Sequence, residues 1–188
     1  MNKLDAINQQ FIDAARNNQL DELKNLLAQG ADIHADIDAA LRYSARSGRL
    51  ETVKFLNAQG ANIRADDDGA LRWSAACGHL EVVKFLVKKG ADIHANNDKS
   101  LRWAACYGRF ETVKFLIEQG ADIHANNDEA LKESARHKHH DVWKLLSAFI
   151  QEEKLLVAAV GVTSDSTWVS GMLQAQPQTI TKAKRSKI

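Results

Sequence analysis

The side chains best equipped for chemistry are the run His137-Lys138-His139-His140, the cysteines Cys77 and Cys106, and aspartates and histidines spread along the chain. Imidazoles and thiolates bind metal ions, and two cysteines can close a disulfide. Each reading meets an objection. His34, His94 and His124 occupy matching places in a repeating pattern, with Arg64 where a further histidine would fall. Groups that recur along a stack sit too far apart to share one ion at bonds of about 2 Å. Around His137–His140 no cysteine or carboxylate apart from Asp141 completes a ligand set, so the run reads as a solvated loop and no metal is expected. Cys77 and Cys106 lie in adjacent units of the same pattern. Stacked helices put such positions about 8–10 Å apart, beyond the ~7 Å between Cα atoms that a disulfide spans. Two free thiols in a reducing compartment are expected. The chain has no Gly-x-x-x-x-Gly-Lys-Ser/Thr loop, no Cys-x-x-Cys pair and no Gly-x-Ser-x-Gly elbow. Its prominent Asp, His and Gly residues return at one fixed interval, the interval that separates Gly30, Gly60, Gly90 and Gly120. A packing rule requires such recurrence, and a single active site does not. No catalysis, no cofactor and no small-molecule substrate are expected.

The elements that must carry these residues follow from that period. The stretch from Asp98 to Gly120 recurs upstream from Asp68 to Gly90 and from Asp38 to Gly60, and more loosely from Asp128 to Ile150. A fixed period of this size indicates a stacked solenoid. Within one unit Asp98 suits a helix N-cap, since its carboxylate can accept first-turn N–H groups. Leu101, Ala104 and Ala105 then share one helical face, and Gly108 ends the helix in the left-handed conformation. A second helix from Phe110 buries Phe110, Val113, Leu116 and Ile117, leaves Glu111, Lys114 and Glu118 in water, and stops at Gly120. One unit has too thin an apolar face to stand alone, so neighbours must bury one another.

Read from Leu71, the residues Leu71-Arg72-Trp73-Ser74-Ala75-Ala76-Cys77-Gly78-His79-Leu80-Glu81-Val82-Val83-Lys84-Phe85-Leu86, followed by Gly90-Ala91-Asp92-Ile93-His94-Ala95, closely resemble the ankyrin repeat. The resemblance is strong over residues 31–150 and weaker over 4–30. It implies an all-α solenoid of stacked antiparallel helix pairs joined by short β-hairpin-like turns. Two departures stand out. The usual Thr-Pro-Leu-His becomes Lys99-Ser100-Leu101-Arg102, and the linker before it is about three residues short of the common unit. A shortened hairpin is expected, with Asp38, Asp68, Asp98 and Asp128 capping in place of threonine. Arg42, Arg72, Arg102 and Lys132 stand where the family's histidine bonds the neighbouring hairpin, so they read as mainly structural, with a cationic ladder as the alternative. The histidine column stands where the family has a hairpin-bonding asparagine. Tyr43, Trp73 and Trp103 read as a stacked interior column, or else as an aromatic strip for a ligand.

Along the chain, residues 4–30 read as an N-terminal capping helix pair, with Phe11, Ala14 and Ala15 in its first helix and Leu20, Leu23, Leu26 and Leu27 in its second. Asn18 takes the place of the helix-ending glycine. Units 31–60, 61–90 and 91–120 are regular. Unit 121–150 is not: Lys138 replaces glycine, Glu133 the aromatic, and His140 the residue matching Leu50, Leu80 and Phe110. Residues 151–175 are expected to form a degenerate capping helix pair built on Leu155-Leu156-Val157-Ala158-Ala159 and on Trp168, Val169, Met172 and Leu173, with a partner-binding segment as the alternative. Residues 176–188 lack an apolar period and are expected to be a disordered basic tail. The segment from 151 holds five basic and three acidic residues, which leaves 20 and 21 in the body out of totals of 25 and 24. That near-neutral body does not suggest nucleic acid. The start, Met1-Asn2-Lys3-Leu4-Asp5, lacks the apolar core of a signal peptide, and no run matches a membrane span. A cytoplasmic monomer is expected.

If the repeats fix the frame, recognition belongs to exposed positions where they differ. At the ends of the first helices these are Arg46 and Ser47, Ala76 and Cys77, Cys106 and Tyr107, and Arg136 and His137. At the turn tips they are Asp36 and Ile37, Asp66 and Asp67, Asn96, Asn97 and Lys99, and Asn126, Asn127 and Glu129. In ankyrin proteins these two sets line the groove and fingertips that hold partners. Tyr107, with Arg46, Arg109 and Arg136 as expected neighbours, is the residue from which most binding energy is expected. The function implied is a non-catalytic module, an adaptor or an inhibitor, that binds a protein. The alternatives are weak nucleic-acid association through Lys182, Lys184, Arg185 and Lys187, or assembly through the C-terminal helices.

Overall fold

The computed structural model describes residues 3–160. Among them are ten helices and no strand: α1 (Lys3–Arg16), α2 (Leu20–Ala28), α3 (Ala35–Arg46), α4 (Leu50–Ala58), α5 (Ala65–Cys77), α6 (Leu80–Lys88), α7 (Ala95–Cys106), α8 (Phe110–Glu118), α9 (Ala125–Arg136) and α10 (His140–Val160). The first helices of successive pairs, α1, α3, α5, α7 and α9, pack closely against one another, while the second helices touch only lightly. The side chains explain the difference. Ala15, Ala45, Ala75 and Ala105 let the first helices approach and are fully buried, whereas Phe55, Phe85 and Phe115 hold the second helices apart and remain half-buried.

The core consists of columns that follow the repeat period. Leu26, Leu56, Leu86, Leu116 and Leu146 are all buried, and so are Phe11, Leu41, Leu71 and Leu101. The last unit is less covered. Leu131 is half-buried, Ala135 is exposed, and Trp143, which follows Leu23, Val53, Val83 and Val113 in its column, is 41% exposed.

Each first helix ends on a left-handed residue: Asn18, Gly48, Gly78, Gly108 or Lys138, with φ from 60 to 79°. The N–H after it reaches back to a carbonyl near the helix end, as in Arg49 to Ser44 at 2.9 Å and His139 to Ser134 at 2.9 Å. Such bonds satisfy carbonyls that the helix end would leave bare.

The turn that opens α3, α5, α7 and α9 differs from the expected hairpin. Three consecutive residues are left-handed in every unit: Asp36-Ile37-Asp38, Asp66-Asp67-Asp68, Asn96-Asn97-Asp98 and Asn126-Asn127-Asp128. The shortened linker turns in one left-handed revolution, and Asp and Asn are the non-glycine residues that bear this conformation best. The arginine column holds the turn. Arg42 donates to the carbonyls of Ile37 and Asp36 at 3.0 and 2.6 Å, and Arg72 donates to that of Asp67 at 2.9 Å. Lys132 makes a single corresponding bond, to the Asn127 carbonyl at 2.5 Å.

The aspartates expected to cap the helices make no such cap and are put to another use. The carboxylates of Asp38, Asp68 and Asp98 accept the backbone N–H of Asn62, Asp92 and Asp122, in the next unit, at 2.8–2.9 Å. The side-chain oxygen of Asn8 does the same for Asp32. These aspartates are rivets between repeats. Burial raises the carboxyls of Asp68 and Asp98, against the pull of the N–H they accept and of Arg64 and His94 beside them.

The aromatic column is not interior. Tyr43, Trp73 and Trp103 are half-buried, because a residue two places after the core leucine lies about 200° round the helix. Trp73 and Trp103 pack at 5.0 Å between ring centroids. Cations lie over the rings: Arg16 over Tyr43 at 4.3 Å, Arg46 over Trp73 at 4.7 Å, and Lys99 over Trp103 at 4.7 Å.

At the far end α10 passes Ile150 without a break, so Leu155-Leu156-Val157 prolong the second helix of its unit and do not open a new pair. Position 150 holds isoleucine where Gly30, Gly60, Gly90 and Gly120 end the earlier helices. Residues 161–175 and the tail 176–188 lie outside the described residues. The extension is tied back by His124, whose Nδ1 meets Asp128 at 2.6 Å and whose Nε2 meets Glu153 at 2.7 Å. Burial alone would lower His124, but the two carboxylates outweigh it and raise it above its ordinary value. Stability from this clamp is therefore complete below about pH 6.5, the value in an unfolded chain. It is lost as pH rises through the raised folded value. Amide exchange of residues 150–158 should quicken as the pH is raised through that range, after correction for the intrinsic rate. His124→Asn should abolish the excess, and an unchanged profile in that variant would refute the clamp.

Candidate functional site

Two ridges flank the row of first helices, the left-handed tips on one side and the helix C-terminal ends on the other. On the tip ridge, several sequence-predicted residues serve the frame. Asp66 pairs with Arg72 at 3.2 Å and with Arg42 at 3.6 Å. Asp67 accepts from Asn96 at 3.4 Å. Glu129 takes the Arg102 guanidinium at 2.6 Å and a hydrogen bond from Asn126. The Asn126 bond, opposed by burial and joined by Arg102, holds the Glu129 carboxyl below the usual range. Lys99 lies over Trp103. Asp36, Ile37, Asn97 and Asn127 face water.

Ile37 stands apart. It has φ 55° and ψ 55°, a region that a β-branched residue enters only under strain, and it is 61% exposed. The matching residues are Asp67, Asn97 and Asn127, all tolerant of that backbone. Strain of this kind persists only where the surrounding structure enforces it, and it clusters at functional sites.

On the other ridge Tyr107 is 54% exposed at the C-terminal end of α7. Its expected arginine neighbours are engaged elsewhere: Arg46 lies on Trp73, Arg109 donates to the Ala76 carbonyl at 3.0 Å, and Arg136 pairs with Glu133 at 3.3 Å. Ala76 itself is buried at 4% exposure and presents no side chain to a partner. Ser47, Cys77 and Cys106 are half-buried, and both cysteines are free thiols.

One grouping on this ridge was missed in the sequence. The Cys106 thiol, the Glu133 carboxylate and a His137 ring nitrogen lie within 4.8 Å of one another. The signal was there in the register, since Glu133 and His137 are one turn apart and Cys106 is one repeat period before residue 136. Burial pushes the Cys106 thiol up, with Glu133 adding to the effect and Arg136 opposing it. His139 does not join the group; its Nε2 is bonded to the Cys106 carbonyl at 3.0 Å.

No helix among the described residues is long and apolar enough to cross a membrane. A family model described as ankyrin repeats, in three copies, matches residues 11–97, and a single ankyrin-repeat model matches residues 100–128. A search of curated proteins finds no match.

Proposed function

The chain belongs to the ankyrin-repeat family, and from that premise we propose that it is a non-catalytic module, adaptor or inhibitor, that holds a protein partner between its two ridges. Ankyrin repeats are generally protein–protein interaction modules. The observation that carries the reading is the exposure of Ile37 and Tyr107, one on each ridge, at positions where the repeats differ. Both present apolar surface that the frame does not use, and exposed aromatic residues are the type that dominates interface energy.

Two variants test this on a partner captured from the native cell. Tyr107→Ala is expected to weaken binding by about 2 kcal/mol or more, roughly thirtyfold in Kd. Ile37→Asn relieves left-handed strain and is expected to raise folding stability by about 1 kcal/mol while weakening binding. A variant that is better folded yet binds less well separates contact from stability. Unchanged affinity in both variants rejects the two-ridge reading, and loss of binding on deleting residues 176–188 alone favours the basic tail.

A further inference from the structure

At the end of the stack the repeat pattern exchanges one kind of pair for another. In the first two steps the residue that closes one first helix lies over the ring at the aromatic position of the next. Arg16 lies over Tyr43, and Arg46 lies over Trp73. The corresponding pair one unit from the end is Ala76 with Trp103, and the last is Cys106 with Glu133. The final step therefore sets a thiol against a carboxylate where the first two steps set a cation against a ring. The third member, His137, matches Ser47, Cys77 and Tyr107. Among the described residues, only the last pair of units brings sulfur, oxygen and nitrogen donors together, and its members stand where the frame leaves the sequence free to vary.

We propose that Cys106, Glu133 and His137 bind one zinc ion. Their donor atoms lie within 4.8 Å of one another, and His137 Nε2 is 3.3 Å from Glu133 Oε2. Ligands of a tetrahedral zinc stand about 3.3–3.8 Å apart, given bonds of ~2.0–2.3 Å. One pair is at that spacing already, and rotamer changes of about 1 Å bring in the third. A thiolate in the set excludes calcium and magnesium, which take oxygen ligands, and with an imidazole it suits zinc. Binding replaces the Cys106 S–H bond by S–Zn and releases that one proton to solvent. The ion's two positive charges are then balanced by thiolate and carboxylate. Three protein ligands leave the fourth position to water, on the ridge that carries Tyr107. Arg136 is the competitor: it pairs with Glu133 at 3.3 Å, but its side chain is 73% exposed and free to leave. His139, bonded to the Cys106 carbonyl and stacked on His137 at 6.3 Å, steadies the ligands without being one.

The test is titration of the reduced full-length chain with Co²⁺ and then Zn²⁺. One cobalt per chain is expected, with a near-ultraviolet thiolate-to-cobalt band that zinc removes. Cys106→Ser should abolish the band and Cys77→Ser should keep it. His137→Ala, an exposed site whose change spares the fold, should weaken binding by more than the ~10–100-fold typical of losing an outer-shell partner. Arg136→Ala should tighten binding by freeing Glu133. Circular dichroism of each apo variant shows whether it is folded, and if Cys106→Ser is not, His137→Ala decides. The proposal is overturned by no uptake at micromolar free zinc, by a band that survives Cys106→Ser, by unchanged affinity in His137→Ala, or by one ion shared between two chains.

Discussion

Leu86→Ala is expected to lower folding stability by about 2–5 kcal/mol, the cost of an unfilled cavity in a packed core. Leu86 is fully buried at the middle of the column that runs from Leu26 to Leu146. It is covered by units on both sides, and in a linear array each repeat depends on its two neighbours. The same change at Leu131, half-buried in the last unit, removes contacts on one side only and should cost about 1 kcal/mol, close to the average for point changes. A domain's total stability is of order 5–15 kcal/mol, so the central change can divide the stack. Urea unfolding followed by helix circular dichroism and by tryptophan fluorescence would then lose coincidence, since Trp73 and Trp103 lie in the middle and Trp143 near the end. Equal losses in the two variants would reject the nearest-neighbour account.

Gly108→Ala should cost about 2–4 kcal/mol, for two separable reasons. Its φ of +66° is left-handed, which an L-residue bears at about 1–2 kcal/mol. A Cβ there would also stand 2.5 Å from the His139 ring nitrogen, forcing away the ring that holds the Cys106 carbonyl. Gly48 and Gly78 meet the same obstruction from His79 and Arg109, at 2.5 and 2.8 Å. Lys138 occupies this conformation at φ 61°, with no later unit among the described residues to supply the obstructing side chain. Among the described residues conformational strain is thus all it bears, and Lys138→Gly should gain about 1 kcal/mol. Adding His139→Ala to Gly108→Ala should recover the steric part and leave the conformational part. Thermal melts of Gly108→Ala, Lys138→Gly, His139→Ala and the double variant measure both, and no recovery in the double variant would show that the contact is unimportant.

Much of this was written along the chain. The regularly spaced glycines mark the helix ends, and the leucine and alanine columns mark the buried face, because those features depend on local backbone preference and on a period that any helix imposes. Exposure of Tyr107 and of most tip residues followed from the same phase, although Lys99 and Glu129 are half-buried. The tertiary structure alone decided what the polar residues do once neighbours arrive. Asp38, Asp68 and Asp98 suit a local cap by type, yet a backbone N–H of the next unit claims them. Three left-handed residues in a row are costly in isolation and become tolerable when Arg42 or Arg72 takes their carbonyls. The ligand group of Cys106, Glu133 and His137 belongs to two units, so no reading within one unit could assemble it. Period and apolar pattern are properties of the single strand of sequence, whereas hydrogen-bond partnership and donor geometry exist only between stacked repeats.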